Sequence, residues 1–161
     1  MKKIKTASIW GVGLKLFSST GLYAIVSSLL TRFWPGTFVV TSIPYHYFVW
    51  AAIVLLGIGI PFLIVSARQL AAKFYTGALI TDGLFARSRN PLYAAWILWI
   101  IPGLALLSSS SLVFLTPLIS YLLFKIMILE EEEYLTNHFG QAYLDYKSRT
   151  NPLWPRLFTR S

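Results

Sequence analysis

Four apolar runs, each closed off by a cluster of polar, glycine or proline residues, frame this chain; they cover about residues 9–30, 45–67, 92–107 and 112–129. A helix needs about 20 mostly apolar residues to cross the hydrocarbon core of a bilayer. The pattern therefore predicts an all-α membrane protein with about four transmembrane helices. The first run is the weakest, since it carries Lys15 and several serines, and Pro61 interrupts the second. Only four serines, 108–111, separate the third and fourth runs. Such a short polar link predicts a tight antiparallel hairpin, with the start of the third helix and the end of the fourth at one membrane face.

The long polar connection, residues 68–90, holds the turn pair Asp82 and Gly83. Phe74, Tyr75, Leu79, Ile80, Leu84 and Phe85 give it enough apolar surface to fold back on the membrane face. After the fourth run, Leu135, Phe139, Ala142, Tyr143 and Tyr146 recur at helical spacing. They predict a cytoplasmic C-terminal helix, with Gly140 placed to bend or interrupt it and Pro152 to end it. Trp154, Leu157 and Phe158, mixed with Arg156 and Arg160, predict an interfacial tail. Gly57 and Gly59 point to close helix packing. Lys15 and Lys125 each lie within about two turns of an expected cytoplasmic end, within reach of water by snorkelling.

Composition supports the membrane reading: 56% of the 161 residues are hydrophobic and 12% are charged, against about 25% charged in soluble domains. Six Trp and nine Tyr suit two interfacial belts. The absence of cysteine excludes disulfides and thiolate metal sites, and two distant histidines, His46 and His138, give no expectation of a metal. The net charge of +8 is unevenly spread. Lys2, Lys3 and Lys5 precede the first run, Arg68, Lys73, Arg87 and Arg89 lie between the second and third, and Lys147, Arg149, Arg156 and Arg160 follow the fourth. The other two connections carry only Arg32. This distribution predicts both termini cytoplasmic in an inner, cytoplasmic membrane, and it accounts for the positive charge without nucleic acid. The basic N-terminus and first run lack a small-x-small cleavage site before Thr31, so a retained helix is expected, within one membrane-embedded domain over 1–161.

The candidate chemistry sits at two places. In RSRNPLY, residues 87–93, Asn90 suits a helix N-cap and Pro91 the first helical position. The free N–H groups of a helix start suit a carboxylate, and Arg89 adds a forked donor. Glu130, Glu131, Glu132 and Glu133 follow the fourth run. At about 100° per residue, only an adjacent pair or an i, i+3 pair can reach one site. The hairpin brings both stretches to one face, where carboxylates opposite an arginine and a helix start suit a zwitterionic ligand.

The segments TDGLFARSRNPLY and YLTNHFGQAYLDYKSR, with the hairpin and the glutamates between them, resemble the C-terminal region of certain integral-membrane methyltransferases. That family includes isoprenylcysteine carboxyl methyltransferase and phosphatidylethanolamine N-methyltransferase. The resemblance covers about residues 65–157 and is carried by Gly83, Arg89, Pro91, Tyr93, Phe139, Gly140, Tyr143 and Tyr146. It implies S-adenosylmethionine-dependent methyl transfer to a lipophilic or small nucleophilic acceptor at the cytoplasmic membrane face. By the same resemblance Arg89, Asn90, Pro91, Tyr93, Glu131, Glu132 and Tyr143 bind the cofactor, and Arg149 orients the acceptor as a catalytic residue. Asn90 stands where the isoprenylcysteine enzymes carry His, while the phospholipid enzymes carry NPxY; this departure argues against prenylated protein substrates. Two alternatives remain at this level: a relative of the membrane reductases that share RHPxY and use NADPH, and a small four-helix transporter or scaffold.

Overall fold

A computed structural model describes residues 7–74 and 77–154. Lys2, Lys3, Lys5, Tyr75, Arg156, Leu157, Phe158 and Arg160 lie outside the described residues. Among the described residues the fold is all-helical, with no strand beyond two isolated bridges. Helix α1 covers Ala7–Phe33, a short α2 covers Pro35–Phe38, and α3 covers Tyr45–Phe74. The third apolar run forms α4, Pro91–Ala95, a π-helical turn, Trp96–Ile100, and α5, Ile101–Leu107. A 3₁₀ turn leads into α6, Thr116–Phe139, and α7 covers Gln141–Arg149.

Within α1, α3 and α6, three stretches among the described residues are long and apolar enough to span a bilayer: Val12–Phe33, Tyr45–Ala72 and Val113–Phe139. The expected third span, Pro91–Leu107, is shorter. At 1.5 Å per residue it reaches about 26 Å, against a hydrocarbon core of about 30 Å. Its π turn has a local cause. Pro102 has no N–H and its ring would press on the carbonyl one turn back; the backbone widens just before it, and the Ile101 N–H bonds to the Trp96 carbonyl.

Helices α3 and α6 run past the ends of their apolar runs, α3 to Phe74 and α6 to Phe139. Arg, Gln, Lys and Glu are good helix formers, so leaving the membrane gives the backbone no reason to stop. Pro61 does not break α3 either. It costs one hydrogen bond, whereas a break inside hydrocarbon would strand several backbone groups beyond the reach of water. Helix α6 ends where Gly140 takes φ 57°, ψ −130°, a conformation that only glycine adopts readily. The turn there swings α7 back against the site.

Helix α6 packs along α1, and the third span along α3. Gly59 makes the second contact close, because a Cβ there would lie 2.6 Å from the Trp99 Cβ; Gly57 faces open space. The core joins Val12 and Leu16 of α1, Tyr93, Ala94 and Ile97 of the third span, and Phe124 and Ile128 of α6, with Leu153 from the C-terminal segment. Large apolar side chains on the outer faces, such as Leu22, Trp50 and Ile126, stay exposed, as lipid-facing residues would. Residues 108–111 do close the hairpin; the Ser111 N–H bonds to the Phe38 carbonyl and the Val40 N–H to the Ser109 carbonyl. At the other end the connection folds back on α3, where Gln69 accepts a bond from the Leu84 N–H at 3.1 Å. Lys15, exposed on α1, lies 3.4 Å from Glu130.

Candidate functional site

RSRNPLY is first of all a socket for the C-terminal segment. The Arg89 N–H donates to the Asn151 carbonyl at 2.9 Å. The Asn90 Nδ2 donates to the Pro152 carbonyl at 2.9 Å, and the Ser88 hydroxyl to the Leu153 carbonyl at 3.1 Å. Three consecutive residues thus hold three consecutive carbonyls and seat Leu153 in the core. Asn90 stands at the N-cap position as expected, but its side chain does not cap the helix; the amide is spent on Pro152.

The Arg89 guanidinium is committed as well. Its Nη2 and Nε donate to Glu132 Oε1 at 2.8 and 3.2 Å, and its Nη1 donates to the Lys147 carbonyl at 2.9 Å and to the Thr150 carbonyl. Lys147 Nζ lies 2.7 Å from the other oxygen of Glu132. One buried arginine therefore ties the start of the third span to α6 and to the end of α7, and Glu132 is neutralised from two sides.

Glu131 is held differently. It is 8% exposed, and its bond among the described residues is from the Tyr93 hydroxyl at 3.2 Å. A buried carboxylate with a single hydroxyl donor is under-paired, a state that favours a cationic or hydrogen-bond-donating ligand. The four glutamates divide as the helical angle requires: Glu131 and Glu132 are buried, Glu130 and Glu133 exposed.

Two cavities meet at this carboxylate. One, of about 300 Å³, is walled by α6 through Tyr134, Leu135 and His138, by α7 through Tyr143 and Tyr146, and by the connection through Leu79 and Ile80. The other, of about 340 Å³, is largely apolar and lies between Gly13, Leu14 and Phe17 of α1 and Pro91, Leu92 and Tyr93 of the third span. Leu70, Phe85, Arg89, Asn90 and Glu131 line both. Burial pushes the Tyr143 hydroxyl up to about 12, with the Glu132 charge adding to the rise. Burial also holds Tyr146 well above the usual range, and its hydroxyl donates to the Phe85 carbonyl at 2.7 Å. Both phenols are therefore neutral near pH 7, and that of Tyr146 is a donor.

The fold thus gathers Arg89, Asn90, Pro91, Tyr93, Glu131 and Tyr143 around the two cavities, with Glu132 behind them. Arg149 lies on the exposed side of α7 and lines neither. Tyr134, His138, Leu70, Ser88 and Lys147 also belong to the arrangement. The signal for two of them was present, because residues 131, 134, 135 and 138 share one face of a helix that continues past 129.

The described residues thus form an all-α fold with helices long and apolar enough to span a membrane and a buried carboxylate where two cavities meet. A family model described as phospholipid methyltransferase matches residues 45–142, and the chain belongs to that family. It is also similar to protein-S-isoprenylcysteine O-methyltransferases. The Mus musculus protein is 35% identical over 77 residues, 48% of this chain and 27% of that protein. The Schizosaccharomyces pombe protein is 32% identical over 71 residues, 44% of this chain and 30% of that protein. The Dictyostelium discoideum protein is 32% identical over 69 residues, 43% of this chain and 29% of that protein. The matched stretch is thus under a third of each relative's length. No solved structure is significantly similar to the chain.

Proposed function

We propose that this protein transfers the methyl group of S-adenosylmethionine to a lipophilic acceptor at the membrane face that holds Glu131. The observation that carries this reading is the junction of two unlike cavities at one under-paired carboxylate. Methyl transfer needs donor and acceptor held in line at about 3–3.5 Å, and here the two cavities share a wall that includes Arg89, Asn90 and Glu131, where ligands from each can meet.

The residues fit the donor. Glu131 is a buried, under-paired carboxyl group suited to an ammonium or sulfonium cation, and the aromatic side chains of Phe85, Tyr134, Phe139 and Tyr143 line the same cavity, where a cation or a flat heterocycle can pack on them. When bound, S-adenosylmethionine supplies an electrophilic methyl group on a positive sulfur. The chain's own work is to orient and to exclude water. Arg89 and Glu132 fix the geometry by locking α6, α7 and the third span together. Asn90 and Ser88 seat the C-terminal segment over the site. Tyr93 holds the Glu131 carboxylate in place. Tyr143 and Tyr146, neutral near pH 7, are not bases for the acceptor, and an acceptor that arrives as a nucleophile, such as a carboxylate, a thiolate or a free amine, needs none.

The apolar cavity opens at the level of the spans, which supports entry of the acceptor from the bilayer, while the polar cavity supports entry of the donor from the cytosol, with both termini on that side. Calorimetric titration of the purified protein with S-adenosylhomocysteine tests the reading. Binding of that compound, weakened by Glu131→Gln, is expected; no binding, or binding of NADPH in its place, would overturn it.

A further inference from the structure

The apolar cavity has a neighbour with which it shares one lining residue, Phe17. Beyond Phe17 lies a second space of about 590 Å³ between α1 and the third span, lined by Gly21 and Ala24 on one side and Trp96, Leu104 and Ala105 on the other. Phe17 lines both spaces, and its ring stands 5.1 Å from that of Trp96, which lines the far space but not the near one. The two rings therefore form a partition. On the near side, Gly13 to Phe17 corresponds to about 6 Å of helix; on the far side the crevice follows α1 toward the opposite membrane face.

We propose that the hydrocarbon chain of the acceptor lies along α1 in this crevice, and that Phe17, backed by Trp96, sets the chain length the enzyme accepts. The inference rests on the lipophilic-acceptor reading above. Three features commit the crevice to a chain rather than to a headgroup or a protein segment. The near space shares Arg89, Asn90 and Glu131 with the polar cavity, so an acceptor whose reactive end sits there must send its tail past Gly13 toward Phe17. Away from Arg89, Asn90 and Glu131 the near wall is apolar, and the far wall is mostly apolar, with only the hydroxyls of Thr20, Ser28, Ser108 and Thr116 among its lining, which suits a methylene chain. Leu14, on the wall of the near space, is exposed on the outer face of α1, so a tail can enter there from the side without crossing water.

Gly21 supplies a control. Gly21 lines the far space and a Cβ there meets nothing within 4 Å, so Gly21→Phe starts its ring from an open position on that wall. The test uses ω-bromoalkanoic acids of increasing length as probes, with full-length protein in nanodiscs and without methyl donor. Dissociation constants are compared between variants at each chain length, which cancels partitioning into the bilayer. Quenching by the terminal bromine is assigned to Trp96 with a Trp96→Phe reference.

In the wild type, affinity rises with length and levels off once the tail meets Phe17. In Phe17→Ala it goes on rising beyond that point, by up to about four-fold per methylene, and long probes begin to quench Trp96. In Phe17→Ala/Gly21→Phe the plateau and the lack of quenching return, while short probes bind all forms within two-fold. Parallel length profiles in wild type and Phe17→Ala, or loss of short-probe binding in Gly21→Phe, would overturn the ruler. Methyl transfer is measured separately with labelled S-adenosylmethionine. No transfer to any amphiphile would sink the proposed reaction, whereas transfer with no break in chain length would sink the ruler alone.

Discussion

Replacing Arg89 with Met tests whether one side chain fastens the site together. The guanidinium is 8% exposed and donates to Glu132 and to the carbonyls of Lys147 and Thr150. Breaking a buried ion pair from one side costs about 3–5 kcal/mol, because the remaining charge stays buried. Lys147 still faces Glu132 at 2.7 Å but is itself 41% exposed, so it offsets only part of the loss. The lower end, about 3 kcal/mol, is therefore expected. For a chain of this size about 1 kcal/mol moves Tm by about 2–4 °C, which gives a drop of about 6–12 °C. Glu132→Met should cost a comparable amount, since it strands Arg89. The double variant should be far less damaging than the sum, because an apolar pair of similar volume leaves no unpaired charge. Thermal unfolding of all four forms in detergent, read as a double-mutant cycle, measures the coupling. Additive effects, or a single Arg89→Met shift below 2 °C, would refute the idea that this pair holds the third span, α6 and α7 in register.

Glu131→Gln should weaken S-adenosylhomocysteine binding by about 1–3 kcal/mol, the cost of losing a charge-assisted hydrogen bond, while Glu130→Gln and Glu133→Gln, both on the exposed side of α6, leave it nearly unchanged; calorimetry decides between them. Asn90→Ala should cost about 1 kcal/mol and speed hydrogen exchange at residues 151–153, because its lost partner is the Pro152 carbonyl rather than a helix cap; unchanged exchange there would point back to capping. Gly140→Ala meets no atom in the way of its Cβ, so any loss of stability, expected at about 1–3 kcal/mol in thermal melts, comes from the backbone at φ 57°. Reporter fusions should give a cytoplasmic signal after Arg87 and an external one after Arg32; a cytoplasmic signal at both would overturn the orientation.

Hydrophobic patterning made the apolar runs legible, and in α3 and α6 these end before the helices do. The runs end near residues 67 and 129, while the backbone continues to Phe74 and Phe139. Gly140, where α6 ends, was visible in the sequence, as was the shared face of the hairpin ends; of the four glutamates, the resemblance singled out Glu131 and Glu132, while helical geometry alone left other pairs open. Ser88 was not visible, because its role depends on a carbonyl of a residue 65 positions away. Lys147 was hidden for a similar reason: its link to Glu132 exists only because Gly140 turns α7 back.

The same long-range closure explains why charge and chemistry separate within two adjacent glutamates. Residues 131 and 132 differ by about 100° around α6. That rotation points Glu132 at Arg89 and Lys147, where its charge is consumed in holding the fold. It points Glu131 at Tyr93, between two cavities, with bonding capacity to spare. A swap of the two roles would require α6 to rotate by more than a quarter of a turn, which the packing of Phe124 and Ile128 into the core forbids. The acidic pair is therefore divided between a residue held in an ion-pair network and one that faces the cavities, and under the proposed function a substitution at each should fail in a different assay: Glu132 in stability and Glu131 in affinity.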